Sequence, residues 1–328
     1  MSVLTAIACR TMSSSTSSLS TPPASPARGL SSIPLKAGTK GGFVSCVRGE
    51  PDNQPDFPSD SIRLPPNLTL SGGRALTETT TPTKENRLFA LLPEGELATV
   101  VSHLEPCDTP RGFVMAKAGA TIDYAYFPCS GVGSIINISP EGNRVEAGLF
   151  GRDGFAPTAA AIDGGISVTE VAVQVPGFAY RLRQDKLLDL MQTHPVFTSL
   201  LHKSTHVLAT QAGFTALSNA IHGIDERLAR WILMCHDRID GDKLALTHEF
   251  IALMLAVRRP SVTTALHLLE GNHFIRSVRG LVIVRDRAGL EEFAADAYGR
   301  AEEEYERLIG PLRKSKRWAL SGRSSAQG

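Results

Sequence analysis

Two arginines, a proline and three hydroxyl side chains crowd together at Arg258, Arg259, Pro260, Ser261, Thr263 and Thr264, with His267 three residues further on. A guanidinium can donate two parallel hydrogen bonds to the edge of guanine, and hydroxyls can bond bases or phosphates. Free N–H groups at the start of a helix attract a phosphate. This is the chemistry of reading double-stranded DNA rather than of breaking bonds. It requires that these residues share the outer face of a helix that can enter the major groove.

The flanking sequence supplies the elements for that. Thr247, also a candidate DNA contact, precedes an apolar run and can cap a short helix, with Glu249 in its favourable first turn. Phe250, Ile251, Met254 and Leu255 form the buried face of that helix, and Ala256-Val257 fits a tight turn. A second helix is expected from Pro260, because a first-turn proline loses no helical hydrogen bond. Val262, Ala265, Leu266 and Leu269 fall inward at helical spacing, leaving Arg259, Ser261, Thr263, Thr264 and His267 outside. Gly271-Asn272 is expected to end the helix through left-handed conformations. Residues 274–276 and 281–284 then read as two strands joined by 277–280, a wing that sets Arg276 and Arg279 beside the DNA backbone. Residues 244–287 hold six arginines against three carboxylates, in a chain whose formal net charge is only +1, so the basic character is local. An ordinary helical hairpin with solvated arginines is the alternative. Turn, outer face and basic wing agree with one another and favour DNA.

The remainder of the 328 residues divides by composition. Residues 1–83 are rich in Ser, Thr, Gly and Pro, with no acid before Glu50. Such a stretch resembles a transit peptide in composition, but a disordered tail, or a start codon placed too early, is the expectation, with the folded part beginning near Asn86. Residues 86–193 open with a short apolar helical pattern broken at Pro93. They continue with FVMAKAG, DYAYFP, VGSIINI, NRVEAGLF and VTEVAVQV, short β-branched and aromatic runs separated by turn residues. Strands at this spacing predict a small barrel or jelly-roll. Residues 194–223 predict one long helix after the His194-Pro195 break. Asp225 is expected to cap the next helix, within a DNA-binding unit over 224–298. Residues 299–328, including the basic run 313–317, read as a solvated tail.

Other chemistries find less support. The strands between Phe113 and Leu182 contain no histidine, as a metal-dependent barrel enzyme would need, and Gly-x-Ser-x-Gly, Walker and HExxH motifs are absent. No catalytic residue, metal ligand or cofactor is therefore assigned. Cysteines 9, 46, 107, 129 and 235 form no CxxC pair. Reduced thiols in a cytoplasmic protein are expected, and a redox-sensing thiol at Cys107 or Cys129 is the sharper alternative. No apolar run is long enough to suggest a membrane span.

The order of barrel, long helix and winged helix-turn-helix resembles the Crp/Fnr family of bacterial transcription regulators. The likeness covers residues 86–298, and most of its specificity lies in LTHEFIALMLAVRRPSVTTALHLLE. Ala256 stands where the family often has glycine in the turn, and Arg258-Arg259 occupies the place of its Ser-Arg-like pair. The resemblance implies an α+β protein with an N-terminal double-stranded β-helix (jelly-roll) sensor barrel, a dimerisation helix and a C-terminal DNA reader. It implies base reading by Arg259, Pro260 and Thr264, and a homodimer on an inverted repeat, with RNA polymerase and an unidentified small-molecule effector as further candidate partners. Pro260 cannot act as the acidic reader of the cyclic-AMP-responsive members. Gly154-Phe155-Ala156 and Ser167-Val168 stand where those members hold ribose and phosphate, so tight cyclic-AMP binding is not expected. A cupin-like enzyme and a ligand-independent scaffold regulator are the alternatives.

Overall fold

Short apolar strands build the barrel, and two of them, 124–128 and 170–175, are buried at four successive residues because both their faces are covered. A computed structural model describes residues 85–163 and 165–313; the low-complexity stretch and residues 314–317 of the basic run lie outside them. Strands β1 (Glu105–Thr109), β7 (Gly177–Arg183) and β3 (Tyr124–Pro128) form one antiparallel sheet in the order β1-β7-β3. Strands β2 (Val114–Ala116), β6 (Glu170–Val175), β4 (Val132–Ile138) and β5 (Arg144–Phe150) form the other, in the order β2-β6-β4-β5. Met115, Tyr126, Phe150, Val171 and Val173 pack together between the two sheets. On the other face of β3, Phe127 lies 4.7, 5.7 and 6.2 Å from the rings of Phe89, Phe155 and Phe197, in a separate core. Gly131 turns the chain between β3 and β4 with φ +81°, and a Cβ there would lie 2.5 Å from the Val175 carbonyl oxygen. Only glycine fits both demands.

The barrel is bracketed by helices. Helix α1 (Glu94–Val101) precedes it, and α2 (Gln184–Thr193) follows β7. Proline at the head of α3 (Pro195–Ile221) starts that helix where its missing N–H costs nothing. Phe197, Leu200, Leu201, Ser204 and Val207 bury one face of α3. The Gln211 side chain fastens the helix to β5, accepting the Leu149 N–H at 2.6 Å and donating to the Leu149 carbonyl at 3.2 Å.

Helix α4 (Ile224–His236) is buried on every side from Leu228 to His236, because it lies between the barrel and the helices that follow. Val132, Ile136, Leu149 and Ala172 of the barrel join Leu228, Ile232, Leu255 and Leu266 in a single core. A polar bridge crosses the same boundary. Glu146 of β5, wholly buried, accepts the Trp231 indole N–H at 3.0 Å and the Ser134 hydroxyl at 2.6 Å. Loss of water pushes its carboxyl up to about 7. Nearby, buried Arg238 holds Asp153 with two bonds of 3.1 and 2.8 Å.

Beyond the wing come α7 (Arg287–Ala294) and α8 (Arg300–Leu308). The residues read as a tail from 299 onward therefore need correction. Ala301, Tyr305 and Ile309 recur every four residues, a one-sided apolar row, and α8 carries it back against α3 and the barrel. Tyr305 donates to the Asp153 carbonyl at 3.0 Å, and Arg87 donates to the carbonyls of Pro311 and Leu312. Tyr305, Ile309 and Leu312 share a core with Leu88 and Phe89. Glu302, expected in solvent, is buried, and its carboxylate accepts the Gly299 N–H at 2.9 Å.

Two helix ends also differ. Gly223, not Asp225, caps α4, its N–H bonding the Glu226 carboxylate at 2.8 Å. The left-handed residue closing the second helix of the DNA-binding unit is His273 (φ +62°), while Asn272 has φ −81°. The Cys107 thiol is partly buried and Cys129 fully so; burial raises both, Cys129 to about 12. The reactive thiolate is thus disfavoured at both, against the redox-sensor alternative.

Candidate nucleic-acid interface

Thr247 caps α5 (His248–Leu255), its hydroxyl oxygen accepting the Phe250 N–H at 3.2 Å. The hydroxyl proposed for DNA contact is thereby engaged in starting a helix. The turn that follows is a helix-ending motif built on Ala256 in the left-handed region (φ +51°, ψ +47°), with Val257 N–H bonding the Ala252 carbonyl and Ala256 N–H that of Leu253. It delivers the chain to α6 (Arg259–Gly271), one residue ahead of the expected start, with Arg258 at its N-cap and Pro260 in its first turn. Val262, Ala265, Leu266 and Leu269 are buried beneath α6, as their spacing predicts. The same motif recurs at its far end, where Phe274 N–H bonds the Leu269 carbonyl and His273 N–H that of Glu270.

The outer face of α6 then presents Arg258, Arg259, Pro260, Thr264 and His267 to solvent, with Ser261 and Thr263 half-buried at its edge. Arg259 forms an exposed ion pair with Glu249 of α5 at 2.9 Å. Thr263 bonds inward, to the Arg259 carbonyl at 3.3 Å and His248 Nδ1 at 3.1 Å. Thr264 donates to the Pro260 carbonyl at 3.2 Å. The Thr263 and Thr264 hydroxyls thus each bond the carbonyl one turn back, a competition that helix geometry always offers Thr, while their acceptor lone pairs are not consumed by it.

The wing is a three-stranded antiparallel sheet in the order β8-β10-β9, from Lys243–Leu244, Leu281–Val284 and Ile275–Val278. Ile275, Val282 and Val284 face the core; Arg276 and Val278 face out. A two-residue turn of Arg279 and Gly280 (φ +73°) joins β9 to β10 and exposes Arg279 at the tip. Two exposed residues join this surface that the sequence reading had not assigned to it. Arg285 follows β10, and Leu268 is 41% exposed on α6. Arg285 was visible as a charge at the wing's end, whereas helical spacing alone left Leu268 unassigned. Among the described residues no group of His, Cys, Asp and Glu could hold a metal ion, and no helix is long and apolar enough to cross a membrane.

Residues 226–293, from α4 through α7, match the Crp-like helix-turn-helix domain. The fold as a whole is similar to that of FixK2 from Bradyrhizobium japonicum, at 15% identity over 58% of this chain and 98% of that one, with a TM-score of 0.51. It is also similar to a protein from Eubacterium rectale described as a transcriptional regulator of the Crp/Fnr family, at 14% identity over 63% and 97%, with a TM-score of 0.50. At these identities the structural likeness is one of fold. No curated protein sequence matches the chain. With a Crp-like helix-turn-helix domain matched by sequence over residues 226–293 and the surrounding architecture similar in fold to Crp/Fnr regulators, the chain is a DNA-binding transcription regulator.

Proposed function

We propose that the protein acts as a homodimer on an inverted-repeat operator, with α6 in the major groove, Arg259 paired to a guanine, and Arg276 and Arg279 against phosphates. The observation that carries the dimer is the outward face of α3. Ser199, His202, His206, Ala209, Gly213, Ala216 and Ala220 alternate at spacings of three and four, and all are exposed. Leu217 and Ile221, 45% and 60% exposed, flank the far end. That spacing is the seam of a two-helix coiled coil, and small residues allow close approach. A two-fold pair would set its recognition helices about 34 Å apart, one turn of DNA. The protein is then a cytoplasmic regulator without enzymatic activity, with RNA polymerase as a further partner.

The barrel supports a second reading in which it only scaffolds. Its aromatic interior is filled. The cavity beneath α3, lined by Phe150, Gly154, Phe155, Ser204, Gln211 and Tyr305, measures about 20 Å³, room for one water. Ser167 bonds the Thr169 carbonyl and Val168 is 85% exposed, so neither is poised for a phosphate. A metabolite-sized effector would have to part this packing.

Gel-shift titration with a duplex selected from random sequence, combined with light scattering, tests the proposal. A dimer is expected. Arg259→Ala should lower the preference for the selected duplex by about 10–100-fold, the worth of one good bidentate base contact. A monomer at all concentrations, or equal affinity of wild type for selected and scrambled duplexes, refutes it. A thermal-shift screen with nucleotides and metabolites separates the sensor from the scaffold.

A further inference from the structure

Pro260, Thr264 and Leu268 are spaced by four residues and form one row along α6. All three are exposed, Leu268 at 41%. Pro260 has no N–H to offer and presents its ring. The Thr264 hydroxyl donates its one proton to the Pro260 carbonyl at 3.2 Å, and the γ-methyl is the hydrocarbon part of this exposed side chain. Thr263, beside the row, is likewise bonded inward. The middle of the recognition face is thus a hydrocarbon ridge, with Arg258 and Arg259 at its N-terminal end and His267 along its flank. Nothing among the described residues covers Leu268.

In the major groove of unmodified DNA one base group is hydrocarbon, the 5-methyl of thymine. We infer that the Pro260–Thr264–Leu268 row reads thymine in the operator half-site by contact with that methyl, beside a guanine taken by Arg259. This rests on the placement of α6 in the major groove proposed above. It adds a base preference that the arginines and hydroxyls do not supply. Leu268 becomes a specificity-determining residue, and Thr264 acts through its methyl rather than its hydroxyl.

The test uses the full chain and the duplex it selects from a random-sequence pool. Each thymine of the half-site is replaced in turn by deoxyuridine, which removes only the methyl. Wild type is expected to lose about fourfold in affinity at one or two positions, the effect of burying one CH2-sized group. Leu268→Ala and Thr264→Ser, both at exposed positions, should bind the thymine duplex more weakly and lose the thymine–deoxyuridine difference at their own position. Thr264→Val, which keeps the methyl and deletes the hydroxyl, should retain it. Three results overturn the inference: a selected half-site without thymine, a neutral replacement at every thymine, or a penalty that persists unchanged in Leu268→Ala and Thr264→Ser. Failure of the underlying placement shows differently, as no enrichment of any sequence in the selection.

Discussion

Replacing Glu146 by glutamine is expected to stabilise the protein at alkaline pH and to leave it nearly unchanged in acid. Glu146 is wholly buried between β4, β5 and α4, and burial moves its carboxyl from 4.5 to about 7. Below 4.5 the side chain is neutral in folded and unfolded chains alike, and its contribution is fully present. As pH rises from 4.5 to about 7, only the unfolded chain ionises, so stability is lost across that window. At 1.36 kcal/mol per pH unit the loss amounts to about 3 kcal/mol. Glutamine stays neutral throughout. Its carbonyl can still accept the Trp231 N–H, and its amide can donate to the Ser134 hydroxyl, which accepts as readily as it donates. Denaturant melts of both proteins near pH 4 and pH 8 measure the difference. The variant should gain about 3 kcal/mol at the higher pH, or about 6–12 °C in Tm for a domain of this size. A pH-independent gap, or a variant less stable at pH 8, would mean that the carboxylate charge is used, with buried Arg230 as its partner, and would refute the reasoning.

Other substitutions follow from single contacts. Ala256→Gly removes the crowding of a side chain from a left-handed turn and should raise stability by about 1 kcal/mol in a thermal melt, with DNA affinity unchanged. Asp153→Ala strands the buried Arg238 guanidinium and should cost about 3–5 kcal/mol; Asp153→Asn, which keeps an acceptor, should cost less in the same melt. Glu249→Gln frees Arg259 from an exposed pair, so stability should change by less than about 1 kcal/mol while affinity for the selected duplex rises by up to about fivefold in a gel-shift titration.

The DNA-binding unit was legible because its information is local. The Thr247 cap, the apolar residues of α6 at helical spacing, the first-turn Pro260 and the alternating wing strands each act within a few residues of themselves. What escaped depends on partners far along the chain. Glu146 sits in an alternating strand like any surface carboxylate. Its burial follows from Ser134, 12 residues away, and Trp231, 85 residues away. Helix α8 carries Ala301, Tyr305 and Ile309 on one side, but within so charged a run that its apolar row reads as weak until Leu88 and Phe89 supply the opposite surface. The local bonds of the threonine hydroxyls escaped for a different reason: the carbonyl one turn back is a partner that side-chain types alone do not display.

The return of α8 to the beginning of the barrel bears on how the molecule is made. Arg87 bonds carbonyls 224 and 225 residues downstream, and Phe89 shares its core with Tyr305 and Leu312. A nascent chain leaving the ribosome has the barrel strands early but cannot seal them until α8 has emerged. Contacts of such long sequence separation are slow to form, and until they form apolar surface stays exposed. Translation stalled within the wing would leave an unsealed barrel beside a half-made reader. Completion of both modules thus waits on one late event, which couples the appearance of the DNA-binding head to the closure of the domain that carries it.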